Sequence, residues 1–423
     1  MTERSDPLRI ERSEPIDGLE LVRQAPPAGA QSFAATYLGP GGWGHDPVGA
    51  EGTARLASTL LTSAAGPYDR VELARRLDRA GATLTSQCAP ESAEVTIWGP
   101  AEEWADLLGL LAEVVLRPRF ERDDHRRVLR QLVERQLREA AQPASRADRE
   151  LLRTVFPRGH PYRETGLGDR RSLGRLRRES IVRFHGRHYT ADGGILVVTA
   201  PARRSAVERV VRQHFRGFPA SAAPSLRLPA ARRAGTQLVK VVLPGRTQVE
   251  IRMGGPSVAR DNVSYPAAFL ANEILGGRPL LSRLFQNVRE KEGLAYYASS
   301  DLEAMRLGGY WVAGAGTGAD RWERVVRILE DELRRLREEA VGTRELRTLR
   351  ESAIGEIPLS LESTSDAHEL AVEAAYYHLP EDHWRSWPAR LRAVGPADLR
   401  EAAAEAFSAD GAVTVVAGPV GRR

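Results

Sequence analysis

The sequence predicts an α+β protein built from two similar domains related by internal duplication. Three observations carry this. The chain has 423 residues, enough for two or more domains each burying its own core. The eleven residues from 191, ADGGILVVTAP, recur from 409 as ADGAVTVVAGP with six positions identical, and the offset of about 218 residues nearly matches that between Gly39-Pro40 and Gly255-Pro256. Strand and helix patterns mix without regular βαβ alternation, which favours α+β over a parallel doubly wound fold.

The first half opens with two strand-like runs, 18–24 (GLELVRQ) and 32–39 (SFAATYLG), the second broken by Gly39-Pro40. A loop through Trp43, His45, Asp46 and Pro47 leads to residues 51–65, where apolar positions 54, 56, 57, 60 and 61 predict a buried helix. A second helix runs over 71–80 and stops at Gly81. Residues 83–85 and 94–98 read as paired strands with a turn near Ala89-Pro90. An apolar helix follows over 104–116, then a long charged one over 121–141 that Pro143 stops, then another from about 145 to 155. Residues 175–188 are helical again, and 194–200 form a strand.

Residues 218–234, rich in Pro and Ala, read as a linker between domains at 1–217 and 235–423. Strands at 238–243 and 248–254, a Gly255-Pro256 break and a helix over 265–275 then restart the pattern. The most informative stretch is 275–300, LGGRPLLSRLFQNVREKEGLAYYASS. Gly276-Gly277 is a break where backbone can approach another chain closely. Leu280, Leu284, Phe285 and Val288 form one apolar helix face, Arg289 and Lys291 occupy the last turn, and Gly293 ends it. A strand then starts near Tyr296, so a cation and a phenol seven positions apart can be aimed at one spot. From spacing alone a surface arginine and a half-buried tyrosine is the commoner outcome.

Composition narrows the function. The fractions, 42% hydrophobic and 28% charged, are ordinary for globular protein, and the net charge is +5 with basic residues interspersed among acids. That pattern argues for solvated helix faces and against a nucleic-acid stripe. Cys88 is the one cysteine, so disulfide frameworks and CxxC metal sites are excluded, which fits a cytoplasmic location. The charged N-terminal stretch does not read as a secretory signal, and no apolar run reaches the ~18–20 residues of a membrane span. There is no HExxH, no GxSxG elbow and no phosphate-loop motif, and Gly39-Pro40-Gly41-Gly42 reads as a strand-end turn. His185 and His188 sit i, i+3 on a helix, but a zinc site needs three or four ligands and no further partner is in view. His378 and His383 read as loop residues and His368 as helical.

With these stretches in hand, the chain resembles the pitrilysin/insulinase family of zinc peptidases, in the short class that includes mitochondrial processing peptidase and bacterial heterodimeric peptidases. The resemblance rests on 275–297, on PRGHPY at 157–162, on ILVVTAP and VTVVAGP, and on YYHLPEDHW at 376–384. It implies mainly antiparallel sheets with packed helices, two domains forming half of a clam-shell, and two chains enclosing a peptide chamber. It also implies an active half carrying HxxEH and a partner half supplying an Arg/Tyr pair. Arg289 and Tyr296 match that pair in type and spacing. At the HxxEH positions this chain has Arg55, Ser58 and Thr59, none a useful zinc ligand, and the third ligand would fall near Glu134–Gln136.

The expectation is therefore a zinc-free subunit, without its own cofactor, that pairs with an HxxEH-bearing homologue holding the zinc. Arg289 and Tyr296 would contact peptide or unfolded polypeptide, and Gly276 and Gly277 would shape the adjoining loop. The substrate would add as a strand to an exposed sheet edge. A scaffold or peptide-binding protein with no catalytic complex is the alternative. An independent peptidase using another metal site is disfavoured, because no set of three ligands assembles from motif spacing.

Overall fold

The fold is taken from a computed structural model, which describes residues 6–222, 224–226, 228–231, 236–409 and 411–421. Part of the expected linker (223, 227 and 232–234), the first residues of the N-terminal stretch and position 410 of the second repeat lie outside the described residues.

Alternating and fully apolar runs set the first sheet. Its strands are β1 (Ile10–Ile16), β2 (Leu19–Gln24), β3 (Ser32–Gly39), β4 (Thr83–Cys88), β5 (Ala93–Pro100) and β6 (Gly194–Thr199). They lie in the order β1-β2-β6-β3-β5-β4, with β2 and β6 parallel and every other pair antiparallel. β3 and β6 are buried along nearly their whole length, as central strands covered on both faces must be. The helices of this region are α1 (Thr53–Leu61), α2 (Arg70–Arg79), α3 (Trp104–Leu116), α4 (Arg122–Ala141), α5 (Pro143–Val155), α6 (Arg170–Leu173), α7 (Arg178–His188) and α8 (Arg204–His214). Pro143 stops α4 and also starts α5, because its missing N–H is harmless at a helix N-terminus.

The second sheet comprises β7 (Gln237–Val242), β8 (Gln248–Ser257), β9 (Ala295–Ala304), β10 (Gly309–Gly318) and β11 (Val413–Gly418), in the order β7-β11-β8-β10-β9. Only β7 and β11 run parallel. With β1 set aside, this order repeats that of the first sheet, β2-β6-β3-β5-β4. The helices of the second half of the chain are α9 (Tyr265–Asn272), α10 (Trp322–Glu338), α11 (Thr343–Leu359), α12 (Thr364–Tyr376), α13 (His383–Ala393) and α14 (Pro396–Ala406).

The chain divides into two compact units that are not contiguous in sequence. The first comprises Met1–Gln136, Thr165–Arg227 and Ile357–Ser386; the second comprises Leu137–Glu164, Leu228–Glu356 and Trp387–Arg423. The linear division at 218–234 thus separates the two sheets but not the two packed bodies. α5, encoded in the first half, covers β8 and β11 through Ala147, Leu151 and Val155. α12, encoded in the second half, covers β2, β3 and β6.

α12 is fixed by a buried polar chain. The His368 Nε2 lies 2.8 Å from the Thr36 hydroxyl and its Nδ1 lies 2.8 Å from the Thr199 hydroxyl. Thr199 donates to Gln24 Oε1 at 2.9 Å, and the Gln24 amide is oriented by donating to the Pro7 carbonyl at 2.8 Å. The Thr199 proton is therefore committed, so Nδ1–H donates to Thr199 and Nε2 accepts from Thr36. Thr36 in turn meets Thr96 at 2.8 Å. Full burial drives the His368 pKa down to about 3.

Two local expectations differ from the structure, and three elements were not expected. Leu280 does not join the apolar helix face: it is 62% exposed and centres a tight turn in which the Leu281 N–H donates to the Pro279 carbonyl at 2.8 Å. Its φ of +66° is left-handed, a strained value for leucine, and Pro279 beside it keeps a helix from starting there. His383 opens α13 instead of lying in a loop. β1, α6 and α8 carried no recognised sequence signal.

Candidate functional site

The stretch flagged by sequence folds around β9, an edge strand of the second sheet. α9 runs on into a π-helical turn, Glu273–Gly277. Gly276 is required there: a side-chain carbon would lie 2.7 Å from the Ser299 carbonyl carbon and against the Ser300 amide. The close approach is to the chain's own β9, and the Ser300 hydroxyl completes it by donating to Asn272 Oδ1 at 2.8 Å. At Gly277 a side-chain carbon would meet the Asn272 and Glu273 side chains at 2.6 Å. The turn that follows is clamped at both ends. Arg278 pairs with Glu273 at 2.6 Å and with Glu356, and Arg283 forms a two-pronged bond to Glu345 at 2.8 and 2.9 Å.

Arg289 lies on a second π-helical segment, Phe285–Lys291, anchored through buried Phe285 and Val288. Such widened turns shift the side chains that follow them and recur at functional sites. Gly293, with φ +60°, ends the segment and leads into β9. The Arg289 guanidinium carbon sits 5.1 Å from the Tyr296 ring centroid and 4.8 Å from that of Phe285, a cation held over two aromatic faces. Its ionic neighbour among the described residues is Glu290, at 4.0 Å. Tyr296 is 82% exposed, far more than the half-buried position that spacing suggested. The structure therefore brings Arg289 and Tyr296 together and presents the phenol to solvent.

A β-bulge aims that phenol. Ala295 pairs with Thr317 and Ala298 with Ala315, so Tyr296 and Tyr297 together oppose the single residue Gly316. Bulges of this kind re-aim side chains and are frequent beside functional sites. On β8, Arg252 and Glu250 reach past β10 to Tyr297: Arg252 Nη1 donates to the Tyr297 hydroxyl at 3.0 Å, and that hydroxyl donates to Glu250. Arg252 also donates to Asp148 of α5 at 2.5 Å. Burial raises the Tyr297 pKa to about 12, opposed by the Arg252 charge. None of this group was singled out from the sequence, because partners on β8 and α5 are far from Tyr297 in the chain.

α1 carries the positions where HxxEH would fall. Its N-terminus is capped by Asp46, which accepts from the Gly52 and Ala54 amides at 2.7 Å each. Burial raises the Asp46 pKa to about 7 despite those bonds. Arg55 lies over the Trp43 ring at 5.1 Å and donates to the Thr165 carbonyl at 3.1 Å. Ser58 is buried and donates to the Gln87 carbonyl at 3.1 Å, while Thr59 donates back to the Arg55 carbonyl at 2.9 Å. A fixed guanidinium and two hydroxyls spent on backbone carbonyls do not fit a zinc ion. Glu134, on α4, is exposed, and Gln136 is buried. Among the described residues no group of three or more His, Cys, Asp or Glu side chains is placed to hold a metal ion.

His185 and His188 part company. His185 bonds the Val115 carbonyl at 2.8 Å through Nε2 and stacks on Tyr189. His188 faces His45 with ring centroids 4.6 Å apart, a neighbour the sequence did not reveal. Burial lowers all three imidazoles to about 4, which suits neutral packing rings. No helix among the described residues is long and apolar enough to cross a membrane.

Comparison with known proteins agrees with this architecture. Residues 175–352 match the family model described as peptidase M16 inactive domain; α1 lies outside the matched span. The chain is 26% identical over 354 residues to an uncharacterized zinc protease of Mycobacterium tuberculosis (strain ATCC 25618 / H37Rv), covering 82% of this chain and 79% of that one. It is 28% identical over 260 residues to an uncharacterized zinc protease of Streptomyces coelicolor, covering 60% and 56%. Among solved structures it is similar to a peptidase M16 inactive domain from Pseudomonas fluorescens, with a TM-score of 0.90, 22% identity and 98% and 99% of the two chains covered. A protease from Helicobacter pylori gives a TM-score of 0.87 at 18% identity, covering 96% and 99%. Residues 175–352 thus resemble the peptidase M16 inactive domain, and the chain as a whole shares the fold of the solved structures named above.

Proposed function

We propose that the chain is the zinc-free subunit of a two-chain metallopeptidase that cleaves peptides or unfolded polypeptide. Arg289 and Tyr296 are its contribution to the active site, and the zinc and general base reside on an HxxEH-bearing homologue. The observation that carries the reading is the contrast between two places in one chain. The Arg289–Tyr296 pair is assembled with its phenol 82% exposed, while Arg55, Ser58 and Thr59 are bonded in a way that leaves no metal ligand. A phenol and a guanidinium can both donate to the oxyanion developing on a scissile carbonyl, an effect worth roughly 3 kcal/mol per donor where it has been isolated. The edge position of β9 supports substrate binding as an added strand. A cytoplasmic location accompanies the proposal, with lone Cys88 buried and in no disulfide.

The test is to co-purify the chain with an HxxEH-bearing relative and assay cleavage of an unstructured peptide. Tyr296→Phe in the mixed complex is expected to lower kcat by about 100-fold, the order seen when one oxyanion donor is removed. Unchanged turnover would refute the role. Absence of activity with every such relative would favour the scaffold alternative.

A further inference from the structure

The bulge at Tyr296–Tyr297 is held from one side by a set of groups that reaches across an intervening strand. β10 has no side chain at Gly314 or Gly316, which pair with Arg252 and Glu250 of β8. A side-chain carbon at Gly316 would lie 2.8 Å from the Tyr297 ring and 3.1 Å from Glu250 Oε1. One at Gly314 would lie 3.0 Å from Arg252 Nη1. These two glycines therefore leave the trough in which the Tyr297 ring and the Arg252 guanidinium lie. The hydroxyl of Tyr297 is bonded on both sides, accepting from Arg252 at 3.0 Å and donating to Glu250. Arg252 is in turn bonded to its own Ile251 carbonyl at 2.9 Å and to Asp148 at 2.5 Å. Arg252 and Glu250 are largely buried, with side chains 12% and 14% exposed, so the bonds are shielded from water.

Among the described residues Tyr296 makes no comparable bond; its ring lies beside the Arg289 cation and the residue is 82% exposed. Its direction is therefore set by the bulge, and the bulge is fixed where Tyr297 is tied down. Two residues opposing one can relax by sliding the extra residue along the strand. The Tyr297 hydroxyl prevents that slide.

We infer that Tyr297, held by Glu250 and Arg252 in the trough left by Gly314 and Gly316, is a positioning residue that fixes the direction of the Tyr296 phenol. This rests on the proposed role of Tyr296, but the positioning itself is measurable without any activity.

The chain is labelled with 3-fluorotyrosine, and the Tyr296 fluorine line is assigned by its loss in Tyr296→Phe. Tyr297→Phe, which keeps the ring and removes the hydroxyl, is expected to shift and broaden the Tyr296 line. Gly316→Ala is expected to do the same; where that variant does not fold, Tyr297→Phe alone decides. Glu250→Gln, which preserves an acceptor for the hydroxyl, is expected to leave the Tyr296 line close to wild type. In the mixed complex Tyr297→Phe is expected to lower kcat about tenfold with KM within twofold, since a misaimed donor is felt in the transition state. A Tyr296 line unchanged by Tyr297→Phe overturns the inference. A shifted line combined with a Tyr296→Phe variant of full activity supports the positioning and overturns the catalytic role instead.

Discussion

His368 makes the first unit sensitive to acid in a way that can be calculated. Its pKa falls from an ordinary 6.5 to about 3 in the folded chain, because burial disfavours the imidazolium. As pH drops below 6.5 the unfolded chain takes up the proton and the folded chain does not, so stability falls with pH. The contribution is complete above pH 6.5, declines across the window from 6.5 to 3, and is lost below it. Between pH 7.5 and pH 5 the linkage gives a loss of about 2 kcal/mol from this one residue. Protonation also places a donor where Nε2 now accepts from Thr36, so the bond chain has to reverse there. The perturbation is His368→Asn, which removes the titrating group and leaves the other buried histidines as a common background. Because two compact units need not unfold in one step, the readout is hydrogen exchange of peptides covering α12, β3 and β6 at both pH values. Wild type should lose about 2 kcal/mol more protection than His368→Asn between pH 7.5 and 5. Equal losses in the two proteins would refute the argument.

Further outcomes follow from backbone geometry. Leu280→Gly removes a left-handed leucine, whereas Leu281 has no positive φ, so Leu280→Gly should be more stable than Leu281→Gly by about 1 kcal/mol in urea denaturation. Gly276→Ala forces a methyl group into the Ser299–Ser300 backbone and should destabilise the second unit by about 3 kcal/mol or more, read as loss of exchange protection in β9 and α9.

How much was legible varies with the range of the forces involved. The helix over 104–116 and strands β3 and β6 follow from local apolar patterning, and their boundaries agree with the sequence to within a residue or so. β1 was not legible, because its run IERSEPI is half polar and interrupted by proline, as suits an edge strand. The Arg289–Tyr296 pairing was legible because helix end, turn and strand lie within eight residues of chain. The bulge was not, since it is defined by a mismatch in register with β10, which periodicity cannot report. Nor were the exchanges of α5 and α12, whose apolar faces fit either sheet by pattern alone. His368 read as one more helical histidine until Thr36 and Thr199, from remote strands, were seen on its two nitrogens.

The placement of α12 on the first sheet has a consequence for synthesis. Ribosomes add about 5–20 residues per second. The last residues of the first unit's earlier segments precede Ile357 by well over a hundred positions. For roughly 7 to 26 seconds the nascent first sheet therefore exists without its α12 cover, with Thr36 and Thr199 lacking their histidine. During that interval β2, β3 and β6 expose a face that α12 later covers. A fragment ending at the linker would remain in that unfinished state permanently.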